Sequence, residues 1–111
     1  MPDPTIFDLQ QLRRYTVYQN DLELELIQLF RQQMPQFVRQ IRCAENAYDW
    51  KLATHSLKGS AATVGAPVVA AVAEQLETLG HDGARQSRDR LLMALEEAVA
   101  EFDRAIEQFY S

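Results

Sequence analysis

Thr54-His55-Ser56-Leu57-Lys58-Gly59-Ser60-Ala61-Ala62-Thr63-Val64-Gly65 is the stretch that decides how this chain is read. With Trp50 in front of it, the stretch carries Trp50, Leu57, Ala61 and Val64 on one stripe at helical spacing. Successive helical residues rotate by about 100°, so His55 points roughly 160° away from Leu57. It faces outward or lies at the groove with a neighbouring helix. Lys51, Lys58, Gly59 and Ala62 share its face. Lys51 and Lys58 are the only lysines in the chain. Glycine inside a helix costs on the order of 1 kcal/mol relative to alanine. Packing of this helix explains neither Gly59 nor the small neighbours Ser56, Ser60 and Ala62, with a helix–helix contact point as the alternative reading of Gly59. An imidazole, an ammonium and a bare stretch of backbone together suit a place where an anionic group is attached and another protein comes close.

Working outward, the pattern stays helical. No glycine precedes Gly59, and β-branched runs with period two are absent. Residues 1–5 read as a tail. Phe7 to Tyr15 predicts a short helix with Leu9 and Leu12 buried. Asn20 or Asp21 is the expected N-cap of a long second helix. Its stripe is Ile27, Phe30, Met34, Phe37 and Ile41, and the periodicity runs through Pro35, which predicts a kink and not two helices. Asn46 to Asp49 predicts a turn and cap before the third helix. Gly65 ends or bends that helix, and Pro67 suits the first turn of a fourth. The fourth helix has Val68 or Val69, Val72, Leu76 and Leu79 on its core side. Gly80-His81-Asp82-Gly83 is a loop. A last helix from about Ser87 to Tyr110 carries Leu91, Leu95, Val99, Phe102, Ile106 and Phe109.

Four long amphipathic helices with short connections predict an all-α, antiparallel up-down-up-down four-helix bundle, with the short N-terminal helix as a lid. Residues 1–111 form a single domain in this reading, with no linker and no internal repeat. The hydrophobic fraction of 47% is ordinary for a globular chain. A net charge of −5 argues against nucleic acid and against an anionic membrane surface. Cys43 is the single cysteine, so no internal disulfide and no cysteine-based zinc site is expected. The N-terminus lacks the features of a signal peptide, and the apolar segment Ala61 to Ala73 is too short to span a bilayer. A cytoplasmic monomer is the expectation, and the start at Met1 favours a complete protein.

The segment from His55 to Gly65 closely resembles the signature of histidine-containing phosphotransfer (HPt) domains: His-x-hydrophobic-Lys-Gly, a run of small residues, then Gly. Leu76-Glu77 extends the match into the next helix. The helical pattern on either side makes the resemblance cover nearly the whole chain. It implies that His55 carries a phosphoryl group on Nε2. It implies that Lys58 offsets the charge of that group and that Gly59 leaves room for phosphate and partner. Gly65 would shape the helix end, and Lys51 joins the supporting set as a second cation on the face. Glu77 occupies the position from which some members bond the imidazole Nδ1, which holds one tautomer and frees Nε2.

Imidazole suits such a role, because its reference pKa of about 6.5 leaves a mostly neutral nucleophile near neutral pH. Positioning and charge stabilisation dominate phosphoryl transfer. The chain has no GxxxxGK[ST] loop to bind ATP, so a phosphocarrier is expected and not a kinase. The resemblance implies receiver domains of response regulators as partners, with a hybrid histidine kinase as a further candidate. It also implies that the receiver supplies Mg²⁺, this chain binding no cofactor or metal of its own. Two other readings stay open. One is a helical adaptor that binds receivers without phosphorylation. The other is the direct phospho-acceptor domain of a histidine kinase. His81 reads as a solvated loop residue, Cys43 as a small buried or half-buried hydrophobe, and Tyr15 and Tyr18 as residues without an assigned function.

Overall fold

A computed structural model describes residues 1–111, which form five helices and no strand: α1 (Leu9–Tyr15), α2 (Asn20–Cys43), α3 (Ala47–Val64), α4 (Pro67–Leu79) and α5 (Arg85–Phe109). The molecule measures 41 × 21 × 19 Å, so its long axis matches the length of the longest helices. α3 packs against α2 and α4, α5 against α4 and α2, and α1 rests on α3. No helix is long and apolar enough to cross a membrane.

Local chemistry sets the helix ends. Asp8 caps α1 by accepting the Gln11 N–H at 3.1 Å, which starts the helix at Leu9 and not at Phe7. Phe7 instead meets Phe102 edge-on with centroids 5.6 Å apart, and Phe109 at 6.2 Å. The N-cap of α2 is Gln19, with no side-chain cap, where Asn20 or Asp21 was expected. The reason is the turn before it: Gln19 is already extended, and its carbonyl accepts the Glu23 N–H at 3.0 Å. Asp21 then falls in the first turn, where a carboxylate faces the positive end of the helix dipole. α2 runs unbroken through Pro35.

Asn46 caps α3, which begins at Ala47, so Asp49 lies in the first turn of the helix and not in a turn before it: the Asn46 Oδ1 accepts the Asp49 N–H at 2.8 Å, while its amide donates to the Asp49 carboxylate at 3.1 Å. Gly65 ends α3 in the left-handed conformation, φ 82°. A Cβ there would collide with the Asp8 carbonyl, and the Gly65 carbonyl accepts the Asp8 N–H at 2.8 Å. So this glycine serves both the helix end and the seat of α1.

The core joins Ile27, Phe30, Met34 and Ile41 of α2 to Trp50, Leu57, Ala61 and Val64 of α3, and to Val69, Val72 and Leu76 of α4. Phe37 and Leu79 are only half-buried. α5 buries Leu92, Leu95, Ala98, Phe102 and Ile106, leaving Leu91, Val99 and Phe109 half-buried. The expected stripe is thus one residue out of place at two points. Leu91-Leu92 and Ala98-Val99 are adjacent apolar pairs, so spacing alone allows two registers, and packing selects one. Cys43 is exposed, not buried, because it sits on the last turn of α2 beyond Ile41.

Candidate functional site

α3 is locked in rotation by its inner face. Trp50 is buried, and its indole N–H donates to the Leu76 carbonyl at 2.9 Å, tying the start of α3 to the end of α4. Thr54 is buried too, and its hydroxyl donates back to the Trp50 carbonyl at 2.9 Å. With Thr54 and Leu57 turned inward, His55 must turn outward. Its side chain is 68% exposed.

One carboxylate organises the histidine. Nδ1 of His55 lies 3.2 Å from Glu77 Oε2, and Nζ of Lys58 lies 3.4 Å from Glu77 Oε1. A carboxylate only accepts hydrogen bonds, so this pairing puts the ring proton on Nδ1. Nε2 then keeps its lone pair. It makes no hydrogen bond within the protein and faces solvent. Glu77 itself is 19% exposed, sheltered between α3 and α4, so both ends of the bridge stand on rigid helices.

Gly59 lies one turn beyond His55 in the same helix, and a Cβ built there would meet nothing within 4 Å. No neighbouring helix requires the missing side chain. The bare surface is open to an incoming body. Beside it, Tyr15, Leu26, Leu29 and Phe30 line a groove whose other wall includes His55, Ser56, Gly59 and Ser60.

The other sequence candidates fall elsewhere. Lys51 is exposed and its ammonium makes no ion pair or hydrogen bond, while its carbonyl accepts from the Thr54 hydroxyl at 3.2 Å. Gly65 acts at the helix end against Asp8, away from the imidazole. His81 is not a solvated loop residue: Nε2 lies 3.0 Å from the Ala44 carbonyl, and the ring meets Trp50 edge-on at 6.3 Å. The loop after α4 folds back over Trp50 and puts His81 to structural use. No three histidine, cysteine, aspartate or glutamate side chains converge as a metal site.

Sequence reasoning missed a second carboxylate cluster. Glu23 is buried. Arg13 Nε donates to its Oε1 at 2.8 Å, and the Tyr110 hydroxyl donates to its Oε2 at 2.6 Å. Burial and the bond to Glu23 hold the Tyr110 hydroxyl far above the ordinary phenol range. A signal was available: Glu23 sits four residues before Ile27, in line with Phe30 and Met34 on the apolar stripe. A glutamate at a core position demands a partner.

The sequence profile of the Hpt domain family matches residues 25–108. No curated protein and no solved structure matches the chain.

Proposed function

The chain belongs to the Hpt domain family, the histidine phosphotransfer modules of two-component signalling, and from that premise we propose that His55 is the residue that carries the phosphoryl group. The observation that carries the reading is a solvent-facing Nε2 on a ring whose Nδ1 is held by Glu77. In the proposed step the Nε2 lone pair attacks the phosphorus of an aspartyl phosphate on a receiver domain. The new P–N bond forms as the P–O bond to the aspartate breaks, and the aspartate leaves as a carboxylate. The proton on Nδ1 stays where it is. The ring becomes a phosphoimidazolium, and Glu77 stabilises its positive charge. Transfer to a second receiver is the reverse.

Lys58 offsets the negative charge of the bound group. Its single contact at 3.4 Å leaves the half-exposed ammonium free to turn from Glu77 towards the phosphoryl oxygens. Gly59 admits the partner, while Lys51 and Gly65 support the site from a distance. Mg²⁺ belongs with the partner's aspartate, and the chain acts as a carrier without kinase activity, in the cytoplasm. We also infer the antiparallel up-down-up-down course for α2 to α5. It is supported by the pairings of Arg42 with Glu96 and of Arg31 with Asp103, and by Trp50 bonding Leu76.

His55→Gln is expected to abolish phosphate acceptance while leaving helix content unchanged. Incubation with a phosphorylated receiver and Mg²⁺, followed by mass spectrometry under neutral conditions, reads the acid-labile phosphate. Normal labelling of the variant would overturn the assignment.

A further inference from the structure

The residues matched by the family profile begin at Glu25, so α1 and the turn into α2 precede them. That preceding segment holds the least expected backbone in the molecule. Val17 and Tyr18 have φ of 53° and 61°, and they are the only non-glycine residues with positive φ. The left-handed region is uncommon for any side chain and an outlier for a β-branched one. Glycine or asparagine would make the same turn with less strain. Folding makes little use of either side chain: Val17 is 73% exposed and Tyr18 66%. Tyr15 stands exposed beside them.

The turn is nevertheless firmly held. The Arg13 carbonyl accepts the Tyr18 N–H at 2.9 Å and the hydroxyl of the buried Thr16 at 3.3 Å. Beneath it, Glu23 binds both Arg13 and Tyr110, and the Arg13 guanidinium lies 6.0 Å from the centre of the Phe109 ring. Strained backbone persists where the surroundings over-determine it, and such places concentrate at recognition sites. A partner that meets a pre-ordered element has less freedom to remove on binding.

Position supplies the occupant. Tyr15 lines the groove that also contains His55 and Gly59. A body whose aspartate reaches Nε2 of His55 and covers that groove extends to Tyr15, and the exposed Val17 and Tyr18 follow Tyr15 in the chain. From Tyr15 to Asn20 the segment has no charged residue, in a chain of net charge −5. Contact there is uncharged and falls on the exposed side chains of Tyr15, Val17 and Tyr18.

We infer that the turn Tyr15–Gln19 is a specificity element. It selects among receiver domains by an uncharged apolar patch beside their acceptor aspartate. This rests on the reading of His55 as the phosphoryl carrier. The shared transfer chemistry then lies within residues 25–108, and partner choice lies partly in front of it.

The test replaces both strained residues, Val17→Gly with Tyr18→Gly, which keeps the backbone conformation accessible. Val17→Asn with Tyr18→Asn serves as a second variant, since asparagine tolerates the same region. A panel of receiver domains charged with acetyl phosphate and Mg²⁺ donates to wild type and variants. Phosphoramidate, a small donor that needs no docking surface, labels the same proteins in parallel. Labelling by phosphoramidate is expected to be unchanged. The kcat/KM for the preferred receiver is expected to fall about tenfold, through KM, at low and high salt alike. The gap between preferred and other receivers narrows accordingly. An unchanged kcat/KM across the panel in both variants would overturn the inference and leave the carrier reading standing. Wild-type protein that accepts nothing from any receiver would overturn the carrier reading itself, and the inference with it.

Discussion

Glu23 and Glu77 are built alike and behave differently. Each carboxylate bridges a cation and a ring: Arg13 and Tyr110 in one case, Lys58 and His55 in the other. At Glu23 the bonds are 2.8 and 2.6 Å and the side chain is 4% exposed. At Glu77 they are 3.2 and 3.4 Å, and the histidine stands largely in water. The Tyr110 hydroxyl spends its single proton on Glu23. The second ring spends only Nδ1 and keeps Nε2 free. The same three-part arrangement gives a closed tie when buried, and leaves one ring nitrogen open to solvent when the ring stands at the surface.

The comparison breaks if the two carboxylates can be exchanged in their consequences. Glu23→Ala strips a buried carboxylate from two partners and is expected to destabilise by about 2 kcal/mol. The urea midpoint reads this, and labelling of His55 by phosphoramidate under native conditions stays normal. Glu77→Ala removes contacts to partly exposed groups, so its effect on stability is expected to stay under about 1 kcal/mol. Its labelling rate falls about tenfold instead, as the ring loses its fixed tautomer and the charge opposite the phosphoimidazolium. That is far less than for a buried triad carboxylate, because water reaches this ring. A slow Glu23→Ala protein with normal stability, or an unstable Glu77→Ala protein with a normal rate, would dissolve the distinction.

Gly59 sharpens the same point from the open side. A methyl group there meets no atom within 4 Å. Gly59→Ala is therefore expected to stabilise the helix by about 0.5–1 kcal/mol. Receiver-fed transfer is expected to slow while phosphoramidate labelling persists. Thermal melts and the two labelling assays separate these effects.

The two carboxylates also differ in how visible they are in the sequence. His55, Lys58 and Gly59 stand at fixed spacings within α3, so periodicity brings them to one surface, whereas Glu77 stands on α4 and was reached only through the family resemblance. The α3 stripe was equally legible, because Trp50, Leu57, Ala61 and Val64 admit a single register. The Glu23 cluster joins residues 13, 23 and 110, and no local spacing links a helix start to the far end of the chain. The Val17-Tyr18 turn was invisible for a related reason: neither residue type favours positive φ, so no turn signal marks it. His81 misled because a glycine-flanked loop reads as solvated, whereas its contact to Trp50 depends on how α4 returns to α3. On α5, two adjacent apolar pairs left the register to packing. Spacing within one helix is legible, and contacts made only by closing the chain are not.

The smallest expected effect concerns pH and belongs to the closed cluster alone. The Tyr110 phenol is held above its ordinary value, first by burial and then by the bond to Glu23. Below about pH 10 the phenol is protonated in folded and unfolded chains alike, so its contribution to stability is fully present. As pH rises past that value the unfolded chain releases the proton and the folded one retains it. The folded state then binds more protons, and stability falls with rising pH. Tyr110 is only half-buried, and solvent screening limits the loss to a few tenths of a kcal/mol between pH 9 and about 10.5. Tyr110→Phe is expected to remove that alkaline slope, read as urea midpoints across the range. An unaltered slope in the variant would place its source in other groups and separate Tyr110 from the tie that Glu23 makes.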